Sequence, residues 1–341
     1  EGRDGSYWLE LVPALPLPAN LAPLSVENAG EIAELSRAEA NVIPALAVYQ
    51  NRVAVPGGTG TTGVWLYDLA ALSTAPNLLR GSTQLTSIAS SPDGSLLLLG
   101  DAQGGIRLWS TDPQTALLER WFDQGHETVT TAVAFAPDGN TVASAGDVAV
   151  TGAAVEKANA VLLWDVEAVQ QSFALGGHTA MVNTLAFSPD GTLLASAGAD
   201  NTIRLWNPAD GASVAVLEAH TAAVNALAFS PDGTLLASGS SDGMVILWDV
   251  AAQTQANTLQ EAGSAVRVLA FSPDGALLAA AGGDDITQDY AIRIWEAESG
   301  EELASLAGHT DRVGGLAFNA EGTVLISVSS DKSIRFWGVG S

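Results

Sequence analysis

Short apolar runs punctuated by polar turn signals recur along the whole chain. Residues 224–230 read VNALAFS, 234–240 read TLLASGS and 244–250 read MVILWDV, with Ser230-Pro231-Asp232-Gly233 and Ser241-Asp242-Gly243 between them. Runs of this length, rich in leucine and β-branched residues and separated by Asp-Gly turns, predict antiparallel strands joined by hairpins. A further run, such as SVAVLEAH (213–220) or EELASLAGH (301–309), precedes the next set. Each set therefore holds four strands whose faces are both largely apolar, so a set must stack on neighbours to bury them.

The sets repeat with a fixed period. The aromatic that closes each one falls at Tyr67, Trp109, Trp164, Trp206, Trp248, Trp295 and Trp337, at intervals of 42, 55, 42, 42, 47 and 42. The turn glycines Gly94, Gly139, Gly191, Gly233, Gly275 and Gly322 locate the two long intervals. From glycine to closing Trp is 15 residues in four units, 25 in the Trp164 unit and 20 in the Trp295 unit. The insertions, Asp147 to Asn159 and Asp284 to Tyr290, thus lie between the second and third strands. Three further residues fall around Leu118 to Phe122.

These units resemble the WD-repeat family of β-propellers. Gly-His openings stand at Gly125-His126, Gly177-His178 and Gly308-His309, with Ala219-His220 as a variant; Trp-Asp closings stand at Trp164-Asp165 and Trp248-Asp249, with Tyr67-Asp68 in the first unit. The remaining closings depart from the pattern, with Ser110, Asn207, Glu296 or Gly338 after the Trp. The likeness runs from about Gly30 to the C-terminus and implies an all-β, seven-bladed propeller of four-stranded antiparallel blades. The last unit ends at Trp337 without a fourth strand, so the N-terminus must supply it. The segment Asn28 to Leu35, which reads like Glu298 to Leu306, predicts that closure and hides the sheet edges. The expected organisation is an extended arm over 1–29 and a propeller over 30–341.

Four histidines invite a metal or catalytic reading. The resemblance implies instead a hydrogen-bonded His-Ser-Asp-Trp set inside single blades: His178, Ser196, Asp200 and Trp206; His220, Ser238, Asp242 and Trp248; His309, Ser327, Asp331 and Trp337. The Trp164 and Trp295 blades depart from it. The Trp164 unit keeps His126 and Ser144 but has Ala158 at the Asp position. The Trp295 unit has Ala262 and Ala280 for His and Ser, leaving Asp289 without those partners.

Both insertions, in the family orientation, rise from the top face, where partner-specific contacts are usually built. Candidate partner-binding residues there are Lys157, Tyr290 and Lys332, together with Asn183, Asn225 and Arg267; the first-strand positions equivalent to Asn183 near the channel mouth are Pro44, Thr86, Thr131, Asn225, Arg267 and Gly314. Arg267 is the one charge among them. It is placed either to hold an anionic or carboxylate-bearing group or to pair with Asp284, Asp285 or Asp289. Those three carboxylates also form a low-ranking Ca²⁺ candidate, against the commoner reading of an exposed acidic turn. No other metal and no cofactor is expected.

The N-terminal arm differs from everything after it. Pro13, Pro16, Pro18 and Pro23 favour an extended path, while Trp8, Leu9, Leu11, Val12, Leu15, Leu17 and Leu21 require cover. The arm docks either on its own propeller or on a neighbouring chain, and Trp8 joins the candidate partner contacts.

Composition narrows the functions. With 38 acidic and 13 basic residues the net charge is −25, which speaks against a nucleic-acid partner. Absence of cysteine excludes disulfides and thiolate catalysis. No apolar run reaches the roughly 20 residues of a membrane-spanning helix. No Gly-x-Ser-x-Gly elbow, phosphate loop, dinucleotide fingerprint or zinc spacing occurs, so the expectation is a non-enzymatic protein-interaction scaffold and complex subunit. The alternatives are a structural subunit of an exported or cell-surface assembly joined through the arm, and a small-ligand or Ca²⁺ sensor. Two lysines and Ala/Leu-rich usage suggest a bacterial style, and a start at Glu1 rather than Met leans toward an exported location, with a cytoplasmic one open.

Overall fold

A computed structural model describes residues 15–39, 45–57, 63–80, 83–112, 120–122, 125–146, 159–260, 264–284 and 286–340. Its strands form seven four-stranded antiparallel sheets, each built from consecutive strands except the last. Blade 1 runs from Ala47–Tyr49 to Asn77–Arg80, blade 2 from Leu85–Ser90 to Arg120–Trp121, and blade 3 from Thr130–Phe135 to Gln170–Leu175. Blades 4, 5 and 6 begin with Val182–Phe187, Val224–Phe229 and Val266–Phe271. Blade 7 holds Val313–Phe318, Leu325–Ser329 and Ser333–Gly338, and Ala33–Glu39 completes it antiparallel to the last of these, with Ala33 opposite Gly338 and Glu39 opposite Ser333. The ring is a seven-bladed propeller closed by an N-terminal strand.

Because second and third strands are buried on both faces, the apolar residues gather between blades. Trp206 of blade 4 packs with Ala143, Val161 and Leu163 of blade 3, and Trp248 of blade 5 packs with Ala195, Ile203 and Leu205 of blade 4. At the seam Tyr67 of blade 1 lies against Val324, Ile326 and Phe336 of blade 7. Each closing aromatic is thus a peg into the preceding blade, which explains its period. A second ring of contacts follows the hairpin turns. Gly139, Gly191, Gly233 and Gly275, all at φ between 70° and 77°, face Pro92, Pro137, Pro189 and Pro231 of the blade before. The left-handed φ requires glycine there.

Residues 15–28 pack on the propeller. Leu24 is 2% exposed, within the cluster that holds Ile32, Leu277 and Trp337, and its N–H donates to the Gly322 carbonyl at 2.8 Å. Leu17 and Leu21 pack at the seam between blades 7 and 1, and Ser36 Oγ donates to the Leu15 carbonyl. Among the described residues no helix is long and apolar enough to cross a membrane. Trp8, Pro44, Lys157, Ala158, Ala262 and Asp285 lie outside the described residues.

Candidate functional site: the channel mouth and the top face

The histidines are held inside their blades. In blade 4 the Trp206 Nε1–H donates to Ser196 Oγ at 2.8 Å; His178 Nε2 is 2.8 Å from the same oxygen, and His178 Nδ1 is 2.9 Å from Asp200 Oδ2. Indole can only donate and carboxylate can only accept. A neutral imidazole protonated at Nδ1, with the Ser196 hydroxyl donating to Nε2, therefore satisfies every member. Blades 5 and 7 repeat the set through His220, Ser238, Asp242 and Trp248 and through His309, Ser327, Asp331 and Trp337. Blade 3 keeps His126, Ser144 and Trp164.

Burial lowers the pKa of His178 and of His220, outweighing the pull of their aspartates. Burial alone would raise the Asp200 carboxyl, but the N–H groups of Thr179 and Thr202 and the His178 ring hold it below the usual range. Asp242 and Asp331 are lowered in the same manner. These groups anchor the turn between second and third strands to the loop entering the blade. They are architecture, and they fix the top-face loops.

Blade 2 builds that anchor differently, which the sequence reading missed. It has Leu99 and Gln103 at the Ser and Asp positions, and Asp101 stands where Gly198 or Ser240 does. Asp101 Oδ1 accepts from the Gln103 and Gly105 N–H groups, Oδ2 accepts from Arg107 Nη2 at 2.7 Å, and the guanidinium lies 3.7 Å over the exposed Trp121 ring. A buried-position aspartate six residues before an arginine was the available signal.

At the channel mouth the first-strand positions are bulge residues. Register shifts fall at Leu85/Ser87, Thr130/Ala132, Val182/Thr184, Val224/Ala226, Val266/Val268 and Val313/Gly315, so Thr86, Thr131, Asn183, Asn225, Arg267 and Gly314 are the extra residues. A bulge re-aims its side chain. Thr86 donates to the Thr130 carbonyl, Thr131 to Val182, Asn183 to Val224 at 3.1 Å and Asn225 to Val266 at 3.0 Å, each bond reaching the next blade. Asn183 and Asn225 are thus inter-blade stitches as well as mouth residues. Arg267 turns its Nε–H to the Gly283 carbonyl at 3.1 Å.

The structure adds Arg312 and Ser330 to the expected channel mouth. A cavity of about 430 Å³ is lined by Asn183, Asn225, Arg267, Arg312, Gly314 and Ser330, and it shares residues with a channel of about 300 Å³ lined by the first strands of blades 2 to 7 and by Ala45 and Leu46 just before the first strand of blade 1. Arg312 was missed. It occupies the position two before the bulge, where blade 4 carries Met181.

The insertion of blade 6 serves its own loop. Asp284 Oδ1 accepts from the N–H groups of Ile286 and Thr287, which lowers its pKa. Asp289, stripped of His and Ser partners, pairs with Arg293 at 2.8 Å, and Arg293 also reaches Glu302. Its replacement partner is therefore an arginine of the same blade. Tyr290 packs on Gly283. Among the described residues no three His, Asp or Glu side chains are placed to share a metal ion. Ile286 is 93% exposed and Met181 44% exposed on the same face, and Lys332 is exposed with φ 68° in the blade 7 turn.

Comparison with known proteins adds the lineage. The model of the family described as "WD domain, G-beta repeat" matches residues 75–110, 119–147, 169–207, 211–249, 253–296 and 300–338. The chain is 32% identical over 164 residues to WD repeat-containing protein 91 of Danio rerio, covering 45% of this chain and 22% of that protein. It is 33% identical over 280 residues to nuclear distribution protein PAC1 of Arthroderma benhamiae, covering 81% of this chain and 54% of that protein. The chain thus spans between about a fifth and about half of these relatives' lengths. Both relatives are eukaryotic, and neither supports the bacterial style read from composition. A chain in the crystal structure of the mitotic checkpoint complex superposes with a TM-score of 0.75 at 24% identity, covering 96% of this chain and 95% of that one, a likeness of fold.

Proposed function

The chain belongs to the WD domain, G-beta repeat family, and from that premise we propose that it is a non-enzymatic protein-interaction scaffold, a subunit of a larger complex that receives its partner on the top face. One observation carries this reading: the His-Ser-Asp-Trp sets hold a face that carries both the exposed apolar side chains Met181 and Ile286 and a polar, arginine-bearing mouth. Exposed apolar residues beside a preformed concavity favour a protein partner. A non-catalytic role is supported by the commitment of the histidines and of Asp289 to internal bonds, since general acid–base chemistry needs a titratable group that can reach a substrate.

The chain's scarcity of lysine makes a direct test practical. Amine-reactive cross-linking of a co-purified partner should report from Lys332, an exposed top-face lysine, and the variant Met181→Asp with Ile286→Asp should lose that partner while melting as the parent does. Unchanged capture by the double variant would overturn the reading. The alternative, a structural subunit joined through the arm, would instead appear as self-association that is lost in a chain starting at Ala29.

A further inference from the structure

We propose that the outer edge of blade 4 docks an extended segment of a protein partner, which adds as a further strand beside Ser213–Glu218 and delivers a carboxylate to Arg204. The site lies on the outer strand rather than on the top face, and it stands or falls independently of the reading above.

Four blades place an arginine two residues before the closing Trp: Arg107, Arg204, Arg293 and Arg335. Three of these are paired with acids of their own blade. Arg107 meets Asp101 at 2.7 Å, Arg293 meets Asp289 at 2.8 Å and Glu302 at 3.1 Å, and Arg335 meets Glu34. Glu302 and Glu34 stand on the fourth strands of blades 6 and 7, opposite Trp295 and Trp337. In blade 4 the residue opposite Trp206 is Ser213, which has no charge to offer. Arg204 nevertheless keeps the pose, its guanidinium lying over Gly177 as that of Arg335 lies over Gly308. Its Nε–H is buried without a partner, and among the described residues no acid pairs with it. A desolvated donor on a cation costs free energy that an incoming carboxylate recovers.

The strand in front of Arg204 is an apolar edge. Val216 stands opposite Arg204, and cross-strand partners share a face. It is 42% exposed, and Val214, the bulge residue of the same strand, is 41% exposed. At these two positions blade 3 has Ser172 and Ala174, and blade 5 has Ala256 and Thr258. Blade 6 also has an apolar bulge residue, Leu303, but there the N-terminal segment gives cover through Leu24, Val26 and Ile32. Ser213–Glu218 has a strand neighbour on one side only, and no lysine or proline interrupts it. An edge of this kind is a template for another strand. The occupant follows from both halves: an extended main chain for the edge, a β-branched side chain against Val216, and an acidic side chain two residues away on the same face for Arg204.

The test measures, with the full chain, the anisotropy of a fluorescein-labelled peptide of alternating threonine and isoleucine with lysines at both ends and one central isoleucine replaced by glutamate. Its twin carries glutamine there. The glutamate peptide should bind about ten-fold more tightly than the twin. At a net charge of −25 the long-range field opposes glutamate, so that preference reports a local contact. Arg204→Gln should erase it. Ser213→Glu, which supplies from the blade itself the carboxylate that Glu302 supplies in blade 6, should erase it without lowering the melting temperature. Val216→Lys should weaken both peptides, and N-methylation of the main-chain amides should weaken the glutamate peptide by about ten-fold or more. Equal affinity of the two peptides for the parent chain overturns the carboxylate site, as does a preference that survives Ser213→Glu. Undiminished binding of the N-methylated peptide overturns strand addition. The Met181→Asp, Ile286→Asp variant should bind both peptides as the parent does, and loss of the preference there would move the site to the top face and overturn the edge. Self-association of the full chain that Val216→Lys abolishes would give the edge to a second copy and overturn the partner segment.

Discussion

Asp101 and Arg107 form an ion pair at 2.7 Å with side-chain exposures of 1% and 2%, inside a blade whose His, Ser and Asp positions hold none of the usual residues. Asp101 also caps two backbone N–H groups of the turn that the pair stabilises. Removing one member of a buried pair leaves the other charged and desolvated, so Asp101→Ala should destabilise the chain by about 3 kcal/mol. Chemical denaturation checks this, and a loss below about 1 kcal/mol would show the pair to be dispensable.

Ser238 carries two bonds of its network, accepting from the Trp248 indole and meeting His220 Nε2, both at 2.8 Å. Ser238→Ala orphans a buried donor and a buried acceptor, for an expected cost of about 2–3 kcal/mol. Replacing the exposed Thr254 by Ala should change the denaturation midpoint little by comparison.

Stability should fall on acidification in two stages. His178 and His220 have folded pKa values below their ordinary 6.5, so the unfolded chain binds more protons there and stability declines as pH drops below about 6.5. Asp190, Asp200, Asp232 and Asp242 are lowered from 3.8; their contribution is intact above that value and is lost as pH falls through the lower folded values. Melting curves between pH 8 and pH 3 test both windows. In His220→Asn the first decline should be shallower, and a parent-like slope in that variant would contradict the assignment.

Leu24 is buried in the blade 6–blade 7 core although it precedes the closing strand. Leu24→Ala should cost about 2–4 kcal/mol. A chain starting at Ala29 should melt lower than the full one while both elute as monomers in light scattering coupled to size exclusion. Assembly of the full chain alone would instead make the arm an intermolecular connector.

Periodicity, together with the resemblance to the WD-repeat family, determined the architecture of this protein. The 42-residue spacing of closing aromatics marks one peg per blade, the turn glycines locate both insertions, and the missing last strand demands an N-terminal one, because these are local or strictly repeated requirements. The His-Ser-Asp-Trp sets were implied by that resemblance, residue by residue, because their members keep fixed offsets within a unit. What only the tertiary structure decided are relations between blades. Asn183 and Asn225 became stitches because the bulge of one strand meets a carbonyl 41 residues further along the chain. Asp289 found Arg293 within its own blade, and Arg312 joined Arg267 at the mouth from the blade beside it. No repeat rule encodes these pairings. They depend on the direction in which each bulge aims its side chain and on how closure brings non-equivalent positions of neighbouring blades around a single axis.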